Sequence, residues 1–377
     1  MQKILRDSLI ITSISVLIML ALPVLNYIPI IRDFAASISD FSITDIGMKA
    51  VQEEMFQSAD TNIVLVNIKN SSISTIESAI NIAKSANAKV IGVNLEGISE
   101  QDDKNFLINE FNADNHIIFG DENNMIMGKN ANKSAHNNTI NPNRKHSTTR
   151  YYSKAYISDS QSYIPKILML ASDNKVNQYR QLLDRNIDKE VINYRGNYKK
   201  YYYYSAGDLE MAEIDSNSFA GKIVLLGEIE TLPNRGNLRN LYFTPLNENP
   251  SGRTIPDMSK TEIEANILSM VMNLDYIDQT PTYFIVIISI LGVFANCLIF
   301  YLIIDWNAIA YEIFSLALFL IESFALVLIT IHAKHNLHYE LNLSLLLLSW
   351  AIGLLCFEVY NESFKPILKL ILDKRRK

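Results

Sequence analysis

The sequence predicts an α/β domain built on a central mixed sheet, attached to four transmembrane α-helices, one N-terminal and three C-terminal. Three observations carry this. Apolar runs occupy residues 8–31, 282–304, 308–331 and 341–360, each near the ~20 residues a bilayer core requires. Between the first two runs, β-branched strand patterns alternate with helical ones. The flanks of the runs are unevenly charged, as the ends of membrane spans are. Hydrophobic residues make up 49% of the 377, yet mean hydropathy is only +0.07, because the apolar residues are concentrated in blocks.

Lys3 and Arg6 precede the first run, and Pro23 and Pro29 lie near its far end, where a helix can stop without exposing backbone to lipid. The run is longer than a signal-peptide core and lacks a nearby small-x-small cleavage pattern, so it reads as an uncleaved anchor. Asp305-Trp306-Asn307 forms a tight turn between the second and third runs, and residues 332–340 link the third to the fourth. Lys365, Lys369, Lys374, Arg375, Arg376 and Lys377 follow the last run. The positive-inside rule then places residues 1–7 and 361–377 in the cytoplasm and residues 32–281 outside. An even number of spans agrees with both ends being inside. A composition rich in Asn, Ile, Lys and Tyr suggests an AT-rich bacterial genome, which makes the membrane a bacterial inner membrane and the domain periplasmic or extracellular.

Within the central segment, residues 62–68 read as a buried strand and residues 72–86 as a helix with Ile73, Ile76, Ile80 and Ile82 at helical spacing. Residues 89–95 read as a second strand, 102–111 as a second helix and 116–119 as a third strand. Residues 201–204 and 222–226 read as further strands, and 260–273 as a helix running towards the second membrane run. The Asn-rich stretch 121–147 reads as a long exposed loop. Both cysteines, Cys297 and Cys356, lie in predicted spans, so the domain between has neither a disulfide nor a thiolate metal site. Net charge of −6 argues against nucleic acid, which calls for a basic face.

Several segments, in order, resemble the type-two CHASE domain (CHASE2), a sensory extracellular module associated with cyclases and histidine kinases. They are Asp40-Phe41 with Thr44-Asp45-Ile46, then residues 64–68 with Ser71 or Ser72, then residues 88–94 followed by Asp102-Asp103. Residues 193–196 with Tyr204-Ser205 lead into residues 219–227, and Thr244-Pro245 with residues 262–267 close the domain before three spans. The resemblance implies an α/β sensor fold with a ligand region near Asn67, Asn94, Glu264 and Asn266. Family members usually carry Asp where this chain has Asn67 and Asn94, and His where it has Glu264. Two carboxylates that could serve as cation ligands or bases are thereby replaced by amides that keep hydrogen-bonding capacity.

Other motifs give bland readings. Gly221-Lys222 lacks the upstream Gly and following Ser/Thr of a phosphate loop and reads as a strand start. His332, His335 and His338 recur every third residue at the outer membrane face. That spacing could share a Zn²⁺ or Cu²⁺, but the link is short and interfacial histidine is common, so no metal is assigned. The tyrosines at 201–204 read as sheet packing with an outward edge. No serine has a readable His–acid partner set. Glu322 lies mid-span, where a carboxyl is costly unless paired or protonated, and Ser289 and Ser349 fall near its depth. In the tail, residues 364–372 carry Ile367, Leu370 and Ile371 on one helical face, as a membrane-surface or partner-docking helix would.

The expected function is a non-enzymatic sensor or regulatory subunit without cofactor that passes an outside signal to a separately encoded membrane or cytoplasmic effector. The tail after the last span is too short to hold an output domain. A structural or docking subunit of a cell-envelope complex is the competing class. Membrane lipid is an expected contact, and a homo-oligomer is compatible with the pattern.

Overall fold

The computed structural model describes residues 2–22, 24, 45, 60–121, 134–136, 148–153, 163–171, 177–185, 189–211, 218–231, 240–247, 255–305, 307–341 and 343–367. These fall into two compact units, residues 45–277 and residues 1–44 with 278–377.

In the first unit the elements run β1 (Ile63–Asn67), α2 (Ile73–Ser85), β2 (Val90–Asn94), α3 (Gln101–Glu110), β3 (Ile117–Asp121) and β4 (Ser134–His136). Then follow β5 (Tyr151–Ser153), α4 (Tyr163–Ala171), α5 (Asn177–Asp184), β6 (Lys189–Val191), β7 (Tyr202–Ser205), α6 (Ala206–Met211), β8 (Ile223–Gly227), β9 (Leu241–Tyr242), β10 (Met258–Ser259) and α7 (Lys260–Asn273); α1 belongs to the other unit. Six strands form one sheet in the order β4-β3-β2-β8-β1-β7, and every pairing is parallel. The expected mixed sheet is therefore corrected to a parallel one. The physical reason is visible at β1, β2 and β3, where the chain returns through α2 and α3 to start each strand at the same end, as parallel strands require.

Burial on both faces explains the apolar strands. Ile63, Leu65, Ile223 and Leu225 point into one core with α4 and α7. Val64, Val66, Val224 and Leu226 point into the other with α2 and α3. The unit is thus a three-layer α/β/α sandwich. Ser72 starts α2 by accepting the Thr75 amide (3.2 Å), as its position just before the apolar repeat suggests.

The structure adds elements that the pattern of residues does not reveal. β3 runs on through Asp121 and β4 lies inside the stretch read as loop, of which residues 122–133 and 137–147 fall outside the described residues. The pairing of β4 uses backbone groups, which Ser134 and His136 supply as well as any apolar residue. β5 and β6, with α4 and α5 between them in the chain, form a short antiparallel pair of mostly polar residues.

In the second unit α1 (Gln2–Ala21), α8 (Thr282–Ile304), α9 (Ala308–Leu337) and α10 (Ser344–Val359), the last taken with its helical continuation to Ile367, are each long and apolar enough to cross a membrane. Ile11, Val293, Cys297, Phe300 and Phe357 form the shared core of α1, α8 and α10. A Cβ on Gly353 would stand 2.9 Å from Val293, so the glycine permits the close approach of α8 and α10. α9 extends further than the expected 308–331 and takes in His332. After α10 a π-helical turn, Tyr360–Phe364, carries the helix on through Ile367. Lys365 pairs there with the buried Asp7 of α1 (3.2 Å), whereas residues 368–372 of the expected tail helix lie outside the described residues. The segment Asp278–Gln279 pairs with Tyr339–Glu340 in a two-strand bridge.

Candidate functional site: the polar edge under helix α7

α7 is amphipathic in neither the usual sense nor degree: every residue from Lys260 to Val271 is buried. Ser259 caps it, and a capping box forms with Glu262. The helix starts at the carboxyl ends of the strands and ends at their amino ends. At its start, a Cβ on Gly227 of β8 would stand 2.0 Å from Thr261 Oγ1, so only glycine admits the helix there. At its far end, Ser269 Oγ and Asn273 Nδ2 donate to Asp60 (2.8 and 3.0 Å), just before β1. In open parallel sheets the carboxyl edge is where ligands bind, and in this chain the first turn of α7 stands at that edge.

Of the residues expected from the sequence, the structure brings Asn94 and Glu264 together. Asn94 Oδ1 accepts the Glu96 amide (3.0 Å), which fixes the side chain and aims Nδ2 at Glu264 Oε2 (3.4 Å). An Asp at 94 would instead set two carboxylates face to face. Asn at 94 and Glu at 264, where the resemblance implied Asp and His, are thus mutually consistent. Asn67 lies elsewhere along the same edge. Its Nδ2 donates to the Tyr203 hydroxyl (3.0 Å) and the Ile229 carbonyl (2.9 Å), and its Oδ1 accepts the amides of Lys69 and Ile229 (both 3.0 Å). Asn266, fully buried, accepts the amides of Arg195 (2.7 Å) and Gly196 (3.3 Å) and donates to the carbonyls of Gly196 (2.9 Å) and Glu262 (2.8 Å). Its amide is committed to holding residues 195–196 against α7.

The sequence did not single out the strongest feature of the edge. Lys260, 2% exposed, pairs with Glu96, and breaking such a buried pair is costly. Nearby, Tyr163 has its hydroxyl titration raised by burial and by the carboxyls of Glu264 and Glu96. Lys69 pairs with Glu230, and Asn240 Nδ2 donates to Glu228 (2.9 Å), which extends the polar rim. Glu262 accepts the Tyr198 amide (2.8 Å) and both the amide and hydroxyl of Ser259 (2.7 Å each). Burial, with the Asp257 carboxyl adding repulsion, pushes it up to about 7 against those hydrogen bonds. The Ser-x-x-Glu pattern at 259–262 was the legible signal for it.

At the far end of α7 the chain is clamped before it leaves the unit. Arg195 pairs with Asp275 (3.0 Å), and Asn193 Nδ2 donates to the Asp275 carbonyl (3.3 Å). Gln178 Nε2 donates to the Met272 carbonyl (2.8 Å), and the Arg185 guanidinium lies over the Tyr276 ring (4.6 Å). Asp45 is tied to Arg150; Asp40, Phe41, Thr44 and Ile46 lie outside the described residues.

A groove of about 630 Å³ runs instead along α2, lined by Ser74, Glu77, Ser78, Asn81 and Ser85. It exposes one helix face and none of the residues of the polar edge.

In the helical unit, Glu322 accepts a hydrogen bond from Asn296 Nδ2 (3.0 Å) rather than from Ser289 or Ser349. Ser349 spends its hydroxyl on the Leu346 carbonyl (2.7 Å). His332 hydrogen-bonds Asn336 (2.8 Å), and His338 ends α9 with φ 51°. The side chain of His335 lies outside the described residues. Among the described residues no three His, Cys, Asp or Glu side chains converge on a common point.

A three-layer α/β unit joined to four long apolar helices is the build of a multi-pass membrane protein with one large soluble domain. The chain belongs to the CHASE2 family: the model of the CHASE2 domain matches residues 16–304, which take in the α/β unit and α8. CHASE2 is a sensory extracellular domain. No curated protein and no solved structure matches the chain.

Proposed function

We propose that the chain is a non-enzymatic, membrane-anchored sensor whose α/β domain lies outside the cell membrane and whose helices pass its signal to a separately encoded effector. Both termini are cytoplasmic in this reading, supported by Lys3 and Arg6 before α1 and the basic residues after α10. The observation that carries it is α7. This buried rod begins at the polar edge, among Asn94, Glu96 and Glu264, and ends in the clamped segment that continues into α8. A shift of α7 on ligand binding at the edge is delivered to the chain entering the membrane. There Asp278 N donates to the His338 carbonyl (2.8 Å) and Thr280 N to the Glu340 carbonyl (3.1 Å), so the same shift also reaches the α9–α10 connection.

Co-purification of the full chain in mild detergent, paired with rescue of a strain lacking the gene, tests this. Arg195→Met cuts the exit clamp without touching the helices. The account expects it to retain the co-purifying effector and to lose rescue. Full rescue by Arg195→Met would overturn the reading. Loss of rescue only together with loss of the partner would favour a structural subunit of an envelope complex.

A further inference from the structure

Resting on the sensor reading, we propose that one input to the domain is the proton, bound at the Glu262 carboxylate, and that its binding releases one tie at the start of α7. The hydrogen bonds at this carboxylate are the reason. An ionised carboxylate only accepts hydrogen bonds, and three donors converge on this one: Ser259 N and Oγ at Oε2, and Tyr198 N at Oε1. A neutral carboxyl must itself donate. The Ser259 hydroxyl can turn to accept the new proton, but the oxygen that carries it becomes a much weaker acceptor, so the backbone amide held there is loosened. The released tie is either the helix cap at Ser259 or the hold on residues 197–200 through Tyr198.

The surroundings favour proton uptake. Glu262 is 1% exposed. From the residue before β10 it is faced by Asp257, a second buried carboxyl that is held by Thr244 and Asn247 and is itself raised by burial. From β7 and the residue before it come Tyr203 and Tyr201. From residues 193–200 come Tyr198 and, beyond Tyr201, Arg195, whose charge is engaged by Asp275. Asp60, before β1, also faces Tyr201 and is held by Ser269 and Asn273. On α7 itself, Lys260 is turned to Glu96 and Glu264 to Asn94. Burial thus brings the Glu262 carboxyl to about 7, where modest acidification outside a cell changes its charge.

Amide hydrogen exchange of the full chain in lipid nanodiscs, between pH 5.5 and 8.5 and corrected for intrinsic rates, reads the tie directly. The expected result is a several-fold loss of protection at Tyr198 or Ser259 as pH falls, with a midpoint near 7. Glu262→Gln should abolish the transition. Ser259→Ala, which removes one hydrogen bond to the carboxylate, should move the midpoint upward and supplies a second readout if the first variant folds poorly. A flat wild-type profile, or an unchanged transition in Glu262→Gln, overturns the proposal and leaves the sensor reading standing. A Glu262-dependent transition that changes nothing in α8–α10 supports the proton site and counts against transmission to the membrane.

Discussion

At the scale of single residues, the edge is built from side chains whose partners define their chemistry. Asn94 and Glu264 show this most clearly, since an amide donor faces a carboxylate acceptor with no room for water between them. Asn94→Asp places a second carboxyl there and is expected to cost about 2 kcal/mol of stability by chemical denaturation. Adding Glu264→His restores an opposite-charge or donor–acceptor pair, so the double variant should recover most of the loss. Equal stability of wild type and Asn94→Asp would show that the two side chains do not interact. Asn67, Asn94, Glu264 and Asn266 were all identifiable as a set from the resemblance, but their separation into three local networks was not. Side-chain partners depend on how α7 crosses the strands, and a linear pattern holds no information about that crossing. Lys260 was missed for a related reason. A lysine at a helix start reads as solvent-facing until its carboxylate partner, 164 residues away in sequence, is in place.

At the scale of elements, β1, β2 and β8 were legible because a strand buried on both faces is an unbroken apolar run. β4, β5 and β6 were not, because their pairing rests on backbone hydrogen bonds and their side chains are mostly polar. The long apolar helices were readable from length, but their rotational phase was not. Counting residues along α8 put Ser289 level with Glu322, whereas the partner is Asn296, two turns along. Cβ bonds lean towards a helix's own N-terminus. In the α8–α9 hairpin, Glu322 and Asn296 therefore lean towards each other and close a gap in depth that residue counting leaves open. Asn296→Leu removes the hydrogen bond to the Glu322 carboxyl and should lower bundle stability by about 1 kcal/mol. Glu322→Gln keeps a hydrogen-bonding side chain and should leave assembly intact. Steric-trapping measurements of unfolding in bicelles would separate the two, and equal losses for both variants would contradict this pairing.

At the scale of the whole molecule, the account joins a sensory α/β domain to helices that carry its signal. Its topology is tested by labelling intact cells of a chain freed of Cys297 and Cys356. A membrane-impermeant maleimide should reach Met211→Cys, 91% exposed on the α/β unit, and fail to reach Asn307→Cys in the α8–α9 turn. The reverse pattern would invert the protein. The central claim, however, is that α7 acts as one rigid body over its 14 residues, about 21 Å. Glu96→Gln, which weakens the buried pair with Lys260 at the start of the helix, tests this with amide exchange in the full chain. Leu274 and Asp275 report from the other end, where their amides donate to Val271 (3.2 Å) and Met270 (3.0 Å). The account predicts that protection at Leu274 and Asp275 falls several-fold together with that of the first turn. A variant that loosens the first turn and leaves both exit amides at wild-type protection would contradict it.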